Sequence, residues 1–153
     1  MYSSDGSVNL QLEDPFDPEA LLNHVDDEVR TMDTDWFRFQ ARLERIVDGD
    51  TVDLLVDLGF RTRKQVRVRV KGIDTAEVYG VEKDSEEYRR GKEHSTFARA
   101  WFEENAGDEE WPFVLATEKD HGKYGRWPGR IVSKSTGRVY TADIVDEFPE
   151  VAS

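Results

Sequence analysis

Bulky and polar side chains alternate through "WFRFQARLERIV" (36–47), "TVDLLVDL" (51–58) and "KQVRVRVKGI" (64–73). A period of two puts one face of a strand into a core and the other into solvent. The second and third runs are expected to pair as a hairpin turning between Gly59 and Arg63. The period then lengthens: Tyr88, Phe97, Ala98, Trp101 and Phe102 predict one helix over 85–105, closed by Asn105-Ala106-Gly107. "WPFVLATE" and "GRIVSK" complete about five strands, and "SKSTG" turns the chain into "RVYTADIV". Before the strands, "DPEALLNHVDDEV" (17–29) opens as a helix, with Asp17 able to cap, Pro18 at the first helical position, and Leu21, Leu22, Val25 and Val29 on one face. Five strands with a helix after the third predict a mainly β, α+β domain, a small Greek-key barrel with one inserted helix and an extra N-terminal helix. The expected organisation is an acidic tail (1–15), a helical extension (16–34), the barrel domain (35–148) and a tail (149–153).

Composition narrows the setting. At 153 residues the chain suits one domain with a core of its own. Thirty-three acidic against 21 basic residues give a net charge of -12, and arginines outnumber lysines fourteen to seven. Such a surface repels polyanions and anionic membranes overall, and it resembles proteins of salt-loaded cytoplasms, where screening shrinks self-repulsion. Absence of cysteine removes disulfides and thiolate metal sites. No basic start leads into an apolar stretch and no 18 apolar residues run together, so the expectation is a cytoplasmic, monomeric protein, its host halophilic, with no membrane partner.

Three stretches carry candidate chemistry. "VDGDTV" (47–52) is either a tight Asp-Gly corner or half of a metal site. A hairpin centred between 59 and 63 sets Asp50 opposite something between 68 and 76, a window that contains Asp74, with Glu77 three residues on. Carboxylates gathered at a hairpin end repel one another unless a cation lies between them, and oxygen ligands suit Ca²⁺ or Mg²⁺; the alternative is a solvated acidic strand end. Between 61 and 71 there are six basic residues, of which Arg67, Arg69 and Lys71 share one strand face while Val66, Val68 and Val70 share the other. A basic strip leading into carboxylates is what phosphodiester chemistry requires; the alternative is an edge strand whose arginines pair with surface acids. "KYGR" (123–126) reads as a turn presenting an arginine.

Taken in order, "VDGDTV", Arg69 five residues before "DTAE" (74–77), the helix opening "GKEHSTF" (91–97) and "KYGR" resemble the staphylococcal nuclease (thermonuclease) family over roughly residues 36–145. The resemblance implies a five-stranded OB-fold barrel and a Ca²⁺-dependent nuclease acting on DNA or RNA. It implies Asp50, Asp74 and the Thr75 carbonyl as metal ligands, and Glu77 as the acid that orients or deprotonates water. Arg69 and Arg126 would be the guanidinium groups on the transition state, and Asp48 a nearby supporting acid. Tyr124 would line the nucleotide pocket, with Lys123, Arg67 and Lys71 as further substrate contacts.

Three features depart from that family pattern. Ala76 stands where proline is common, "VYGVEKDSEEY" (78–88) is acidic where many relatives carry lysines, and "DIVDEFPEVAS" closes the sequence without a long final helix. The 17–29 helix is expected to fill the gap so left on the barrel. The competing reading is a non-catalytic OB-fold module that binds nucleic acid through a basic groove and aromatics.

Overall fold

In the computed structural model, residues 37–153 are described, and five strands among them close on themselves. The strands are β1 (Phe37–Asp48), β2 (Thr51–Asp57), β3 (Arg63–Val70), β4 (Phe113–Thr117) and β5 (Trp127–Ser133). Around the barrel they run β1-β2-β3-β5-β4, every pairing antiparallel except β3 with β5. This order is compatible with an OB-fold. Asp35–Ser153 forms one compact unit. The helix expected over 17–29 lies outside the described residues.

The alternation read from the sequence is the barrel's inside and outside. Val52, Leu54 and Val56 of β2 and Val68 and Val70 of β3 are buried, while Arg63, Lys64, Gln65 and Arg67 face out. The β2–β3 turn closes through Leu58 N–H to the Thr62 carbonyl and Thr62 N–H to the Gly59 carbonyl, both 2.8 Å. Gly59, Phe60 and Arg61 take φ of 84°, 54° and 61°, three left-handed residues in a row that reverse the strand direction tightly.

Helix α1 (Glu86–Glu104) follows β3, one residue inside its expected bounds at either end. Ser85 caps it by accepting the Tyr88 N–H at 3.1 Å, and Glu86 and Glu87 occupy the first turn, where the helix dipole favours acids. Its buried face is Gly91, His94, Ser95, Ala98, Trp101 and Phe102. Trp101 and Phe102 meet Phe113 and Tyr140 at ring-centroid distances of 5.0–5.8 Å, an aromatic cluster that seals one end of the barrel.

The second helix, α2 (Tyr140–Glu147), falls where the sequence reading left only a run after a turn. It is short, its N-cap Val139 makes no side-chain cap bond, and it buries only Tyr140 and Ile144. Asp143 anchors it by accepting from Trp101 Nε1 at 2.7 Å and from Arg138 Nε at 2.6 Å and Nη2 at 2.7 Å. That guanidinium pairing holds the Asp143 carboxyl below its usual range. Residues 149–153, read from the sequence as a tail, begin with a single 3₁₀ turn (Pro149–Val151) whose Val151 is buried. Among the described residues no helix is long and apolar enough to cross a membrane.

Candidate functional site

The β1–β2 corner, the loop after β3 and the first turns of α1 meet at one end of the barrel. Antiparallel pairing sets Thr51 opposite Arg69, and the Val70 N–H donates to the Asp50 carbonyl at 2.8 Å. Asp50 is buried and each of its carboxylate oxygens accepts one bond: Oδ1 from Thr51 Oγ1 at 2.8 Å, Oδ2 from the Thr75 N–H at 3.0 Å. Each oxygen retains further lone-pair capacity.

Arg69 organises the charges. Its Nη1 donates to the carbonyls of Val70 (3.0 Å) and Ile73 (2.8 Å), so the guanidinium plane is fixed by backbone on one side. Its Nη2 lies 3.5 Å from Asp50 Oδ2 and 3.4 Å from Asp74 Oδ1, bridging a buried acid and an acid whose side chain is 74% exposed. Asp48, at the other side of the corner, accepts the Val78 N–H at 3.3 Å. Its carboxyl is pushed up to about 6, chiefly by burial, against the lowering effect of that Val78 bond and with the charges of Asp50 and Glu77 adding to the rise. Asp48, Asp50, Asp74, Glu77 and Arg69 therefore belong to one electrostatic unit, with Glu77 itself exposed.

Gly49 owes its place to space rather than to turn geometry. It is absent from the glycines with positive φ, and a Cβ there would lie 2.8 Å from Thr75 Cγ2 and 3.0 Å from His94 Cβ. The expected Asp-Gly corner is thus a point of close approach between hairpin, loop and helix. Directly beneath it, the Tyr140 hydroxyl donates to the Gly49 carbonyl at 2.5 Å. Burial, with the charge of Asp50, raises that phenol far above its ordinary range and keeps it protonated as a donor.

The other expected site residues divide differently. Parallel pairing of Arg69 with Pro128 brings the chain just after Arg126 beside β3. The Arg126 guanidinium carbon lies 5.6 Å from the centre of the Tyr124 ring. Tyr124 is 89% exposed and held at φ 60° in the single turn Lys123–Gly125, so it stands out from the surface. Arg67 is committed to Asp53 through a two-bond fork of 2.7 and 2.9 Å, which raises its own pKa. Lys71 pairs with Glu118 at 2.5 Å. The basic strip is therefore two ion pairs flanking Arg69 rather than three equivalent cations.

His94, Glu150, Tyr140 and Asp53 went unnoticed in the sequence reading. The Asp53–Arg67 pair was within reach, since hairpin register sets them directly opposite. His94 sits one helical turn from Gly91 on the buried face of α1, and one histidine among several polar residues there gives no sign that its ring is buried.

The donor set available to a cation is hard oxygen: the Asp50 and Asp74 carboxylates and the Thr75 backbone, with Thr75 Oγ1 buried and lacking a hydrogen-bond partner. Among the described residues no group of three or more His, Asp or Glu side chains is gathered as a metal site. The physical reason is Arg69, whose guanidinium stands between the two aspartates. No protein-family model matches the chain, and no curated protein matches it either.

Proposed function

We propose that the protein is a Ca²⁺-dependent nuclease of the staphylococcal nuclease kind, built on an OB-fold, that hydrolyses phosphodiester bonds of DNA or RNA. One observation carries the reading: Arg69 Nη2 bridges Asp50 and Asp74 at 3.5 and 3.4 Å, in register with the Asp-Gly-Asp corner. The donor set fits calcium, because Asp50 and Asp74 supply charged oxygens and flexible coordination leaves room for a backbone carbonyl from Thr75. When bound, the ion would neutralise charge on the phosphate and polarise it.

The chain's own groups do the rest. A phosphate arriving at Arg69 competes with the two carboxylates for its Nη2, while Nη1 stays on the Val70 and Ile73 carbonyls and preserves the aim of the guanidinium. Arg126, immediately before the strand that pairs with β3, supplies a second planar donor to the same oxygens, where negative charge grows in the transition state. Glu77 accepts the proton of the attacking water at its carboxylate, and Asp48 keeps the region acidic enough to favour a cation. The exposed Tyr124 offers a face for a base to stack upon.

A second reading, a nucleic-acid-binding module without catalysis, is favoured by the exposed Tyr124 ring with the Arg126 guanidinium 5.6 Å from its centre, a stacking surface that needs no cation. One experiment separates the two. Purified full chain is incubated with single- and double-stranded DNA and RNA, with Ca²⁺ or with excess chelator. Cleavage with Ca²⁺ that chelator abolishes is expected. Binding without cleavage would favour the module, and full cleavage in chelator would overturn the metal-dependent mechanism.

A further inference from the structure

The loop 74–78 carries Asp74, Thr75 and Glu77, yet its sequence "DTAEV" holds no proline to fix a backbone angle. Its order comes from outside. The Asp74 N–H donates to the Val151 carbonyl at 2.8 Å, and the Thr75 N–H to Asp50. The next amide, that of Ala76, donates to Nδ1 of His94 at 3.1 Å. His94 is 1% exposed, and its Nε2 faces Glu150 Oε2 at 3.4 Å. Since Nδ1 accepts, the ring proton sits on Nε2 and donates to Glu150. The ring is fixed in turn by the edge of Phe148, at a centroid distance of 4.7 Å. Helix and loop are in backbone contact as well: a Cβ on Gly91, one turn before His94, would lie 2.7 Å from the Glu77 carbonyl oxygen.

We infer that His94 is a positioning residue whose Nδ1 holds the Ala76 amide and whose Nε2 ties that hold to Glu150, so that the 74–78 loop presents Asp74 and Glu77 in one orientation. The imidazole does from outside the loop what a rigid residue at position 76 would do from within. This inference rests on the nuclease reading for its consequence in catalysis. The clamp itself is independent of substrate and cation.

The isosteres of histidine test it. His94→Asn keeps an acceptor at the Nδ1 position and loses the reach to Glu150; His94→Gln keeps the reach and moves the acceptor away from Ala76. Amide exchange at Ala76 and Val78 is measured on the full chain without cation, and kcat and KM are measured with Ca²⁺ and a DNA substrate. In His94→Gln the Ala76 amide should exchange about tenfold faster, as loss of one buried hydrogen bond implies. Its kcat should fall by a similar factor with KM within about twofold, because aim rather than binding is lost. His94→Asn, which loses the tie to Glu150 alone, should recover part of both, with exchange between that of the native chain and that of His94→Gln. Equal loss in the two variants, tracking their melting temperatures, would make His94 a packing residue only and overturn the inference, as would native exchange at Ala76 in His94→Gln. Should His94→Gln fail to fold, Glu150→Ala serves instead. That side chain is half exposed and leaves no cavity, and it should speed Ala76 exchange; unchanged exchange overturns the inference. Absence of cleavage by the native chain would overturn the nuclease reading alone, since exchange at Ala76 is read without substrate.

Discussion

The two ends of the barrel, about 20 Å apart along the seven residues of β2, are built on opposite principles. At the Gly49 end, α1, α2 and residues 149–153 close over the strands, and buried polar groups are joined in a network: Tyr140 to Gly49, Thr51 and Thr75 to Asp50, Val78 to Asp48, and Ala76 to His94. At the other end an apolar groove of about 320 Å³ lies open among Phe37, Phe39, Leu58, Val66, Leu115 and Trp127. Phe37 is 46% exposed there and Leu58 41%. Fixed donors and acceptors in a shielded setting can hold charge in a chosen geometry, whereas the groove is mostly apolar and its two lysines, Lys64 and Lys119, are exposed. The contrast explains why the groove is not the candidate for phosphodiester chemistry.

The largest expected effect separates the ends by activity. Arg69→Lys should retain the fold by circular dichroism and lose at least about a hundredfold in turnover, since lysine cannot hold two carbonyls and present a planar fork at once. Phe37→Ser, at the open end, should leave turnover within about twofold, as a surface change remote from the charges. Equal losses in the two would erase the distinction between the ends.

Stability gives the next effect. Tyr140→Phe removes the hydroxyl that reaches the Gly49 carbonyl beneath the corner. It should cost about 1–3 kcal/mol in urea unfolding, the usual penalty for an orphaned buried acceptor. A change under about 0.3 kcal/mol would mean that the carbonyl is satisfied without the phenol, and that the closed end is less tightly determined than its network implies.

The smallest effect is a pH dependence. Because the folded-state pKa of Asp48 is raised from 3.8 to about 6, the native state holds that proton more tightly than the unfolded chain. Measured in chelator, native stability should therefore carry a component that falls as pH rises from about 4 to about 6 and is constant above. Unscreened, the shift corresponds to about 3 kcal/mol, and partial exposure of the side chain reduces the expectation to about 1 kcal/mol. Asp48→Asn keeps an acceptor for the Val78 N–H and should abolish that component, becoming more stable than the native chain above pH 6. Parallel stability curves for the two would show that Asp48 is not held against its charge.

Local signals carried much of this architecture. Alternation over 51–57 and 63–70 fixed which residues of β2 and β3 face inward, and simple hairpin arithmetic set Asp50 opposite a window of 68–76, within which the structure pairs it with Val70. Asn105 marked the end of α1 because capping chemistry is local. Contacts between distant segments were hidden. The parallel β3–β5 pairing, the Lys71–Glu118 pair and the His94 clamp span 18 to 59 residues, and no periodicity encodes them. Helix α2 was missed because an uncapped eight-residue segment with two buried residues owes its form to the aromatic cluster it packs against. Gly49 was recognised as a corner for the wrong reason: its lack of a side chain matters to Thr75 and His94, neither of which neighbours it in sequence.

The floor under Asp74 has a consequence for the order in which the molecule is made. Val151 accepts the Asp74 N–H, Ala152 bridges Ile73, and the Ser153 N–H donates to the Gly72 carbonyl at 3.1 Å. At ribosomal rates of about 5–20 residues per second, residues 149–153 are synthesised roughly 4–15 s after the loop they support. Through that interval the hairpin can pair and bring Arg69 beside Asp50, but the acidic loop has no shelf to rest on. Assembly of the site is thus coupled to translation of the segment through Ser153, and a nascent chain halted at Phe148 carries every proposed catalytic side chain without the backbone that sets the loop in place.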